Sequence, residues 1–234
     1  MSGLKKNYIY HFSYQIINTV FSVILLPYLS RVLGPNGIGV YSYTHSIVSY
    51  FALFMILGIK NYGNRLIASI RDDKQERSKQ FWSLYVVQLL FSGLTILFYI
   101  IYSVFICKND QIITFAQTIF LISSMFDISW FFCGIEKFKI TNIINSIVKI
   151  VAALLVFVLV RNENDLLIYT IIMGAYPLLQ NILLFPLLRK EIKLIKFNKE
   201  EFAVHIKPCI ILFIPHPMIK FLIGLHFVMM RMRF

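Results

Sequence analysis

Lys149 interrupts the apolar run from Ile143 to Val160, and Asn142, Asn145 and Ser146 stand just before it. At 100° per residue these four and Ala153 fall within an arc of about 100° of one helix, while Ile143, Ile147, Val151, Leu154 and Leu155 occupy the other side. A helix built this way has a lipid face and a polar face, and the polar face must look into a bundle or a watery cavity. The chemistry available there is that of a fixed ammonium attracting an anion, with neighbouring amides and a hydroxyl to hydrogen-bond it.

Two other polar groupings share this character. His11, Gln15, Asn18 and Ser22 form one stripe at helical spacing in the first apolar run, so Gln15 and Asn18 are expected to point inward. Ser123, Ser124 and Asp127 share a side of the fourth run. A charge in hydrocarbon costs at least about 2.5 kcal/mol, so Lys149 and Asp127 each require a partner or a function. Two roles are open: they pair with each other or with serine and asparagine neighbours and hold helices together, or Lys149 faces an aqueous cavity and draws in an anionic substrate. His11 and His45 read as hydrogen-bonding helix contacts. Cys107, Cys133 and Cys209 are too few and too scattered for a disulfide framework or a metal site. No HExxH, GxSxG, CxxC pair or glycine-rich phosphate loop is present, and no cofactor, metal or catalytic residue is expected.

The elements that must position these residues follow from composition. Of 234 residues 58% are hydrophobic and 15% charged, and the charges gather in connectors between apolar runs. The net charge of +12 is therefore expected to meet anionic lipid headgroups rather than nucleic acid. A helix needs roughly 20 mostly apolar residues to cross the hydrocarbon core. Six stretches qualify: 8–29, 40–59, 81–106, 112–133, 143–160 and 166–188. The fold class expected is all-α integral membrane, a six-helix transmembrane bundle whose first segment is retained as a span.

Connectors on one side hold sixteen Lys and Arg: two before the first span, six within 60–80, Lys137 and Lys139, and six within 189–207. The other side holds three, namely Arg31, Lys108 and Arg161. Because cationic side chains resist translocation, the richer side and the N-terminus are expected in the cytoplasm. Within 189–207, Asn198 followed by Glu201 predicts a capping box opening a short helix at the headgroup level. The charged run from Arg71 to Arg77 reads as a solvated turn.

Three blocks carry a resemblance: the run from Pro27 to Tyr41 (PYLSRVLGPNGIGVY), Tyr62-Gly63-Asn64-Arg65, and the run from Phe126 to Glu136 (FDISWFFCGIE). With these, residues 4 to 215 resemble the bacterial flippases that export lipid-linked polysaccharide repeat units, such as those of O-antigen, exopolysaccharide and teichoic-type polymers. They belong to the multidrug/oligosaccharidyl-lipid/polysaccharide superfamily. Cys133 departs from the glutamine expected there. In the first block Pro27 can kink the helix end, and Gly34, Pro35, Gly37 and Gly39 allow a sharp outer reversal with Arg31 at its mouth.

The resemblance implies a protein of about twice this length, with two six-helix lobes opening alternately to each side of a central cavity. It implies a bacterial cytoplasmic-membrane location, an undecaprenyl-pyrophosphate-linked substrate, and a polysaccharide polymerase and glycosyltransferases as partners. Lys149 is the leading contact for the pyrophosphate and acidic sugars, and Arg31 a secondary one near the outer opening. The alternatives are a drug or cation antiporter of the same superfamily, or a non-transporting scaffold of a glycan assembly complex.

Residues 1–208 form the expected lobe, with cytoplasmic loops at 60–80 and 189–207. Residues 209–234 read as an incomplete seventh helix, because Pro215, Pro217 and Lys220 interrupt it. The tail from about 216 is expected to derive from a frameshift or truncation, and one lobe without a partner is expected to be impaired in transport unless two copies pair.

Overall fold

The computed structural model describes residues 15, 19–21, 23–56, 58–107, 110–193 and 199–213. Among them every regular element is helical, and five helical stretches are long and apolar enough to cross a membrane. The protein is an all-α membrane protein.

The helices are α1 (Thr19–Val32), α2 (Gly34–Ile56), α3 (Ile59–Ser69), α4 (Lys74–Phe105), α5 (Gln111–Ala116), α6 (Thr118–Met125), α7 (Ser129–Gly134), α8 (Phe138–Leu159), α9 (Leu166–Glu191) and α10 (Lys199–Phe213), with a 3-10 turn at Glu163–Asp165. His11, Asn18, Ser22, Lys108, Asn198 and the tail from 214 lie outside the described residues. So does half of the first predicted span, of which the portion from Thr19 is the helix α1. Position 209, the expected start of a second segment, falls inside α10.

Three sequence expectations change. The 60–80 stretch is mostly helix: α3 continues the second span beyond Gly58, and only 70–73 form a turn before α4 begins. Asp73 caps α4 by accepting from the N–H groups of Gln75 (2.8 Å) and Glu76 (3.0 Å), so the charged run is part turn and part helix start. The 189–207 stretch is likewise helical at both ends, in α9 and α10. The fourth span is three short helices, interrupted at Gln117 and again at 126–128. The outer reversal is as sharp as the sequence predicts, because Leu33 alone separates α1 from α2 and Gly34 takes a left-handed φ of 68° that favours glycine.

Gly58 is also left-handed, and a Cβ there would lie 2.6 Å from the Cys209 carbonyl oxygen, so the bend between α2 and α3 admits α10 against it. Close approach recurs between α3 and α7. A Cβ on Gly63 would meet the Trp130 ring at 2.6 Å, and one on Gly134 would meet Ile67 at 2.7 Å. Two of the sequence blocks that carried the resemblance are thus the two sides of one helix contact.

Around that contact Phe81, Tyr85, Trp130 and Phe131 stack and cross at centroid distances of 5.1–6.4 Å. A second apolar cluster joins α1, α8 and α9 through Leu25, Leu29, Val156 and Ile172, and a third joins α2, α4 and α6 through Val48, Met55, Tyr99 and Leu121. The outward surface of α4 and α8 carries Leu94, Leu97, Phe98, Ile147 and Leu154, each more than half exposed, as a lipid-facing helix requires.

The connectors sort to two ends. At one end the turns near 71, 136 and 191 meet: Arg71 pairs with Glu136 at 2.7 Å, Lys137 with Glu191, and Arg77 donates to the Glu191 carbonyl oxygen at 2.8 Å. At the other end Glu163 approaches Gly34 and shares a recess with Asp110 and Gln111. This is the alternation that the charge count predicts.

Candidate functional site

Inside the bundle, α2, α3, α6, α7, α8 and α9 surround a cleft of about 440 Å³. Its apolar lining comes from Ala52, Leu53, Ile56, Phe120, Pro177 and Leu184, and its polar lining from Ser49, Lys60, Ser123, Ser124, Asp127, Ser129, Asn145, Tyr176, Gln180 and Asn181. Ser49 and Leu53 also border a smaller recess of about 220 Å³ beside His45, so the cleft extends along α2.

The break in the fourth span builds one wall. Where a helix stops inside a membrane, its freed backbone groups need other partners. Gln88 of α4 is fully buried, and its Nε2 donates to the carbonyl oxygens of Ser124 (3.2 Å), Met125 (3.2 Å) and Asp127 (2.9 Å). Its Oε1 accepts from the Trp130 indole N–H at 3.1 Å. One amide from another helix thereby stitches the interruption.

The break also aims Asp127. Its Oδ1 accepts from the Ser129 N–H at 2.9 Å and starts α7, while its Oδ2 lies 2.8 Å from Lys60 Nζ. The Asp127 side chain is 14% exposed and that of Lys60 51%, so the pair stands at the cleft wall with its cationic end toward the opening. Asp127 therefore pairs with Lys60, and the pairing with Lys149 that the sequence left open is not what the structure forms.

On the opposite wall Gln180 Nε2 donates to the Asn145 carbonyl oxygen (2.9 Å) and Asn181 Nδ2 to that of Ser123 (2.7 Å), tying α9 to α8 and α6. Pro177, which has no N–H, leaves a backbone carbonyl one turn earlier without its helical donor in this same region.

Of the residues that the sequence singles out, the structure brings Asp127 and Asn145 into the cleft. Lys149 is half-buried one turn beyond Asn145, with Nζ 4.5 Å from the centre of the Phe21 ring, a cation–π contact to α1. Asn142 is half-buried and its Nδ2 has no hydrogen-bond partner. Arg31 is exposed at the end of α1, and Gln15 is exposed with its carbonyl accepting from Thr19 at 3.1 Å; neither lines the cleft. His45 stacks on Tyr41 with ring centres 5.2 Å apart and meets Gln117 at 3.4 Å, the helix contact expected of it.

Sequence reasoning missed Lys60, Gln180 and Asn181. Lys60, just past an apolar run, reads from sequence as the start of a loop. The amide pair beside Pro177, in an otherwise apolar span, was the signal that could have found the other two. The arrangement offers amide and hydroxyl groups able to hydrogen-bond a polyhydroxylated ligand, with a paired cation at one end and Lys149 nearby.

Residues 4–223 match the family described as polysaccharide biosynthesis protein. A curated protein of Escherichia coli (strain K12), provisionally named an O-antigen transporter, is 22% identical over 183 residues, covering 77% of this chain and 44% of that protein. Its counterpart of the same provisional name in Shigella dysenteriae is 26% identical over 164 residues, covering 70% of this chain and 41% of that protein. The chain thus spans about half the length of the curated relatives it matches. No solved structure matches it.

Proposed function

The chain belongs to the polysaccharide biosynthesis protein family, and from that premise we propose that it forms the N-terminal lobe of a transporter that flips undecaprenyl-pyrophosphate-linked polysaccharide repeat units across the bacterial cytoplasmic membrane. The observation that carries this reading is the polar cleft at intramembrane depth, whose lining of serines, asparagines, a glutamine and a tyrosine suits sugar hydroxyls. Lys149, one turn from Asn145, would meet the pyrophosphate, because a phosphate in a low-dielectric site is held strongly by an ammonium. The N-terminus and the Arg77–Glu191 end would face the cytoplasm, on the count of cationic residues. A polymerase and glycosyltransferases would supply and consume the substrate.

The antiporter alternative needs an intramembrane carboxylate that binds and releases a cation. Asp127 is instead engaged by Lys60 and by the start of α7, which favours the flippase.

Complementation of a flippase-deficient strain tests the proposal. A full-length relative should restore polysaccharide export, and its variant with the lysine matching Lys149 changed to alanine should lose most of it. The 234-residue chain, tested beside it, should restore little. Full export by the alanine variant would overturn the pyrophosphate contact, and failure of the unaltered full-length relative to restore export would favour a non-transporting scaffold.

A further inference from the structure

A groove of about 420 Å³ runs between α1 and α8, and all eight side chains that line it are apolar, among them Phe21, Ile24, Ile150, Ala153, Leu154 and Phe157. Ala153 gives it depth, since it stands where larger side chains flank it on the same helix. Lys149 lies at its edge, because the ammonium sits 4.5 Å from the ring of Phe21, a wall of the groove. One turn before Lys149, Asn145 lines the polar cleft. Along a single helix the order is therefore hydrogen-bonding cleft, cation, hydrocarbon groove.

That order matches the chemistry of a polyprenyl diphosphate sugar: polyhydroxylated head, diphosphate, branched hydrocarbon tail. We infer that the α1–α8 groove holds the proximal isoprene units of the lipid carrier while Lys149 holds its diphosphate. The inference rests on the flippase reading and adds to it the path of the tail. A second apolar groove of about 370 Å³ lies between α8 and α9, bordered by Ala175 and Ile182. Hydrocarbon alone does not select the carrier, because bilayer chains are equally apolar; the adjoining charge makes the first groove selective.

The test uses the full chain in phosphatidylcholine nanodiscs, with p-benzoylphenylalanine replacing Ile24 or Leu154 and tritiated undecaprenyl diphosphate as probe. Both positions should cross-link the diphosphate at least ten-fold better than undecaprenol. Lys149→Gln should cut the labelling about ten-fold, and Lys149→Arg should retain most of it. Ala153→Leu, which fills the groove, should reduce labelling and leave a Lys149-dependent binding of the probe measurable. Ala175→Leu, which fills the other groove, should change nothing.

Equal labelling by undecaprenol, or displacement of the probe by an equal amount of phosphatidylglycerol, would overturn the inference by showing an ordinary lipid-facing crevice. Lys149-dependent binding with no cross-link at 24 or 154 would overturn the groove and leave the flippase reading intact. Absence of any Lys149-dependent binding would overturn both.

Discussion

Lys60 and Asp127 are not equivalent partners, although they meet 2.8 Å apart. Losing the lysine leaves a largely buried carboxylate compensated by Ser129, through its N–H and its side chain, whereas losing the acid leaves a half-exposed ammonium that can reach water. Lys60→Met should therefore lower stability by about 2–3 kcal/mol and Asp127→Asn by about 1 kcal/mol, values between those of buried and exposed ion pairs. Thermal unfolding of the purified variants in detergent measures both; equal effects, or a larger loss in Asp127→Asn, would contradict this placement. Asp127 and Asn145 were legible in the sequence as polar residues in apolar runs. Lys60 was not, because a lysine just past an apolar run reads as the start of a loop, and only the left-handed Gly58 shows that the chain bends and continues as helix.

Among the elements, α8 was read most completely from its sequence. The lipid face drawn at 100° per residue is that of the structure, with Ile143, Ile147 and Leu154 exposed, whereas the buried face is that of Thr141, Val148, Ala152 and Val156, and the polar arc from Asn142 to Ala153 lies half-buried between the two. The fourth span was read only in outline. Its hydropathy is continuous enough to count as one crossing, but its interruption at 126–128 is stabilised by Gln88, a residue about 38 positions earlier whose role no local pattern reveals. Gln88→Leu keeps a side chain of comparable volume and removes the donor to three carbonyl groups and the acceptor of Trp130. At about 1–3 kcal/mol per buried unsatisfied group, it should cost at least about 2 kcal/mol. The same unfolding measurement checks it, and a neutral Gln88→Leu would mean that the break is held by something else.

For the whole molecule, the charge count predicted which connectors share an end, and the ion pairs joining Arg71 to Glu136 and Lys137 to Glu191 lie at the end richer in cations. What a sum of charges and spans could not give is the cleft. It needs six helical elements that are distant in sequence, and it exists because small or bent positions such as Gly58, Gly63 and Pro177 let those elements converge. The aromatic cluster around Phe81 then fixes that convergence from one side, and α8 and α9 wall it from another.

The central claim is that this cleft is a polar, water-reachable chamber inside the membrane. Thiol labelling tests it most directly: Cys107, Cys133 and Cys209 are replaced by alanine, single cysteines are placed at Asn145, Asn181, Leu97 and Ile147, and a water-soluble maleimide is applied to membranes opened to both sides. Cysteines at 145 and 181 should react at least ten-fold faster than those at 97 and 147. Rates at 145 and 181 as slow as those of the lipid-facing pair would contradict the account.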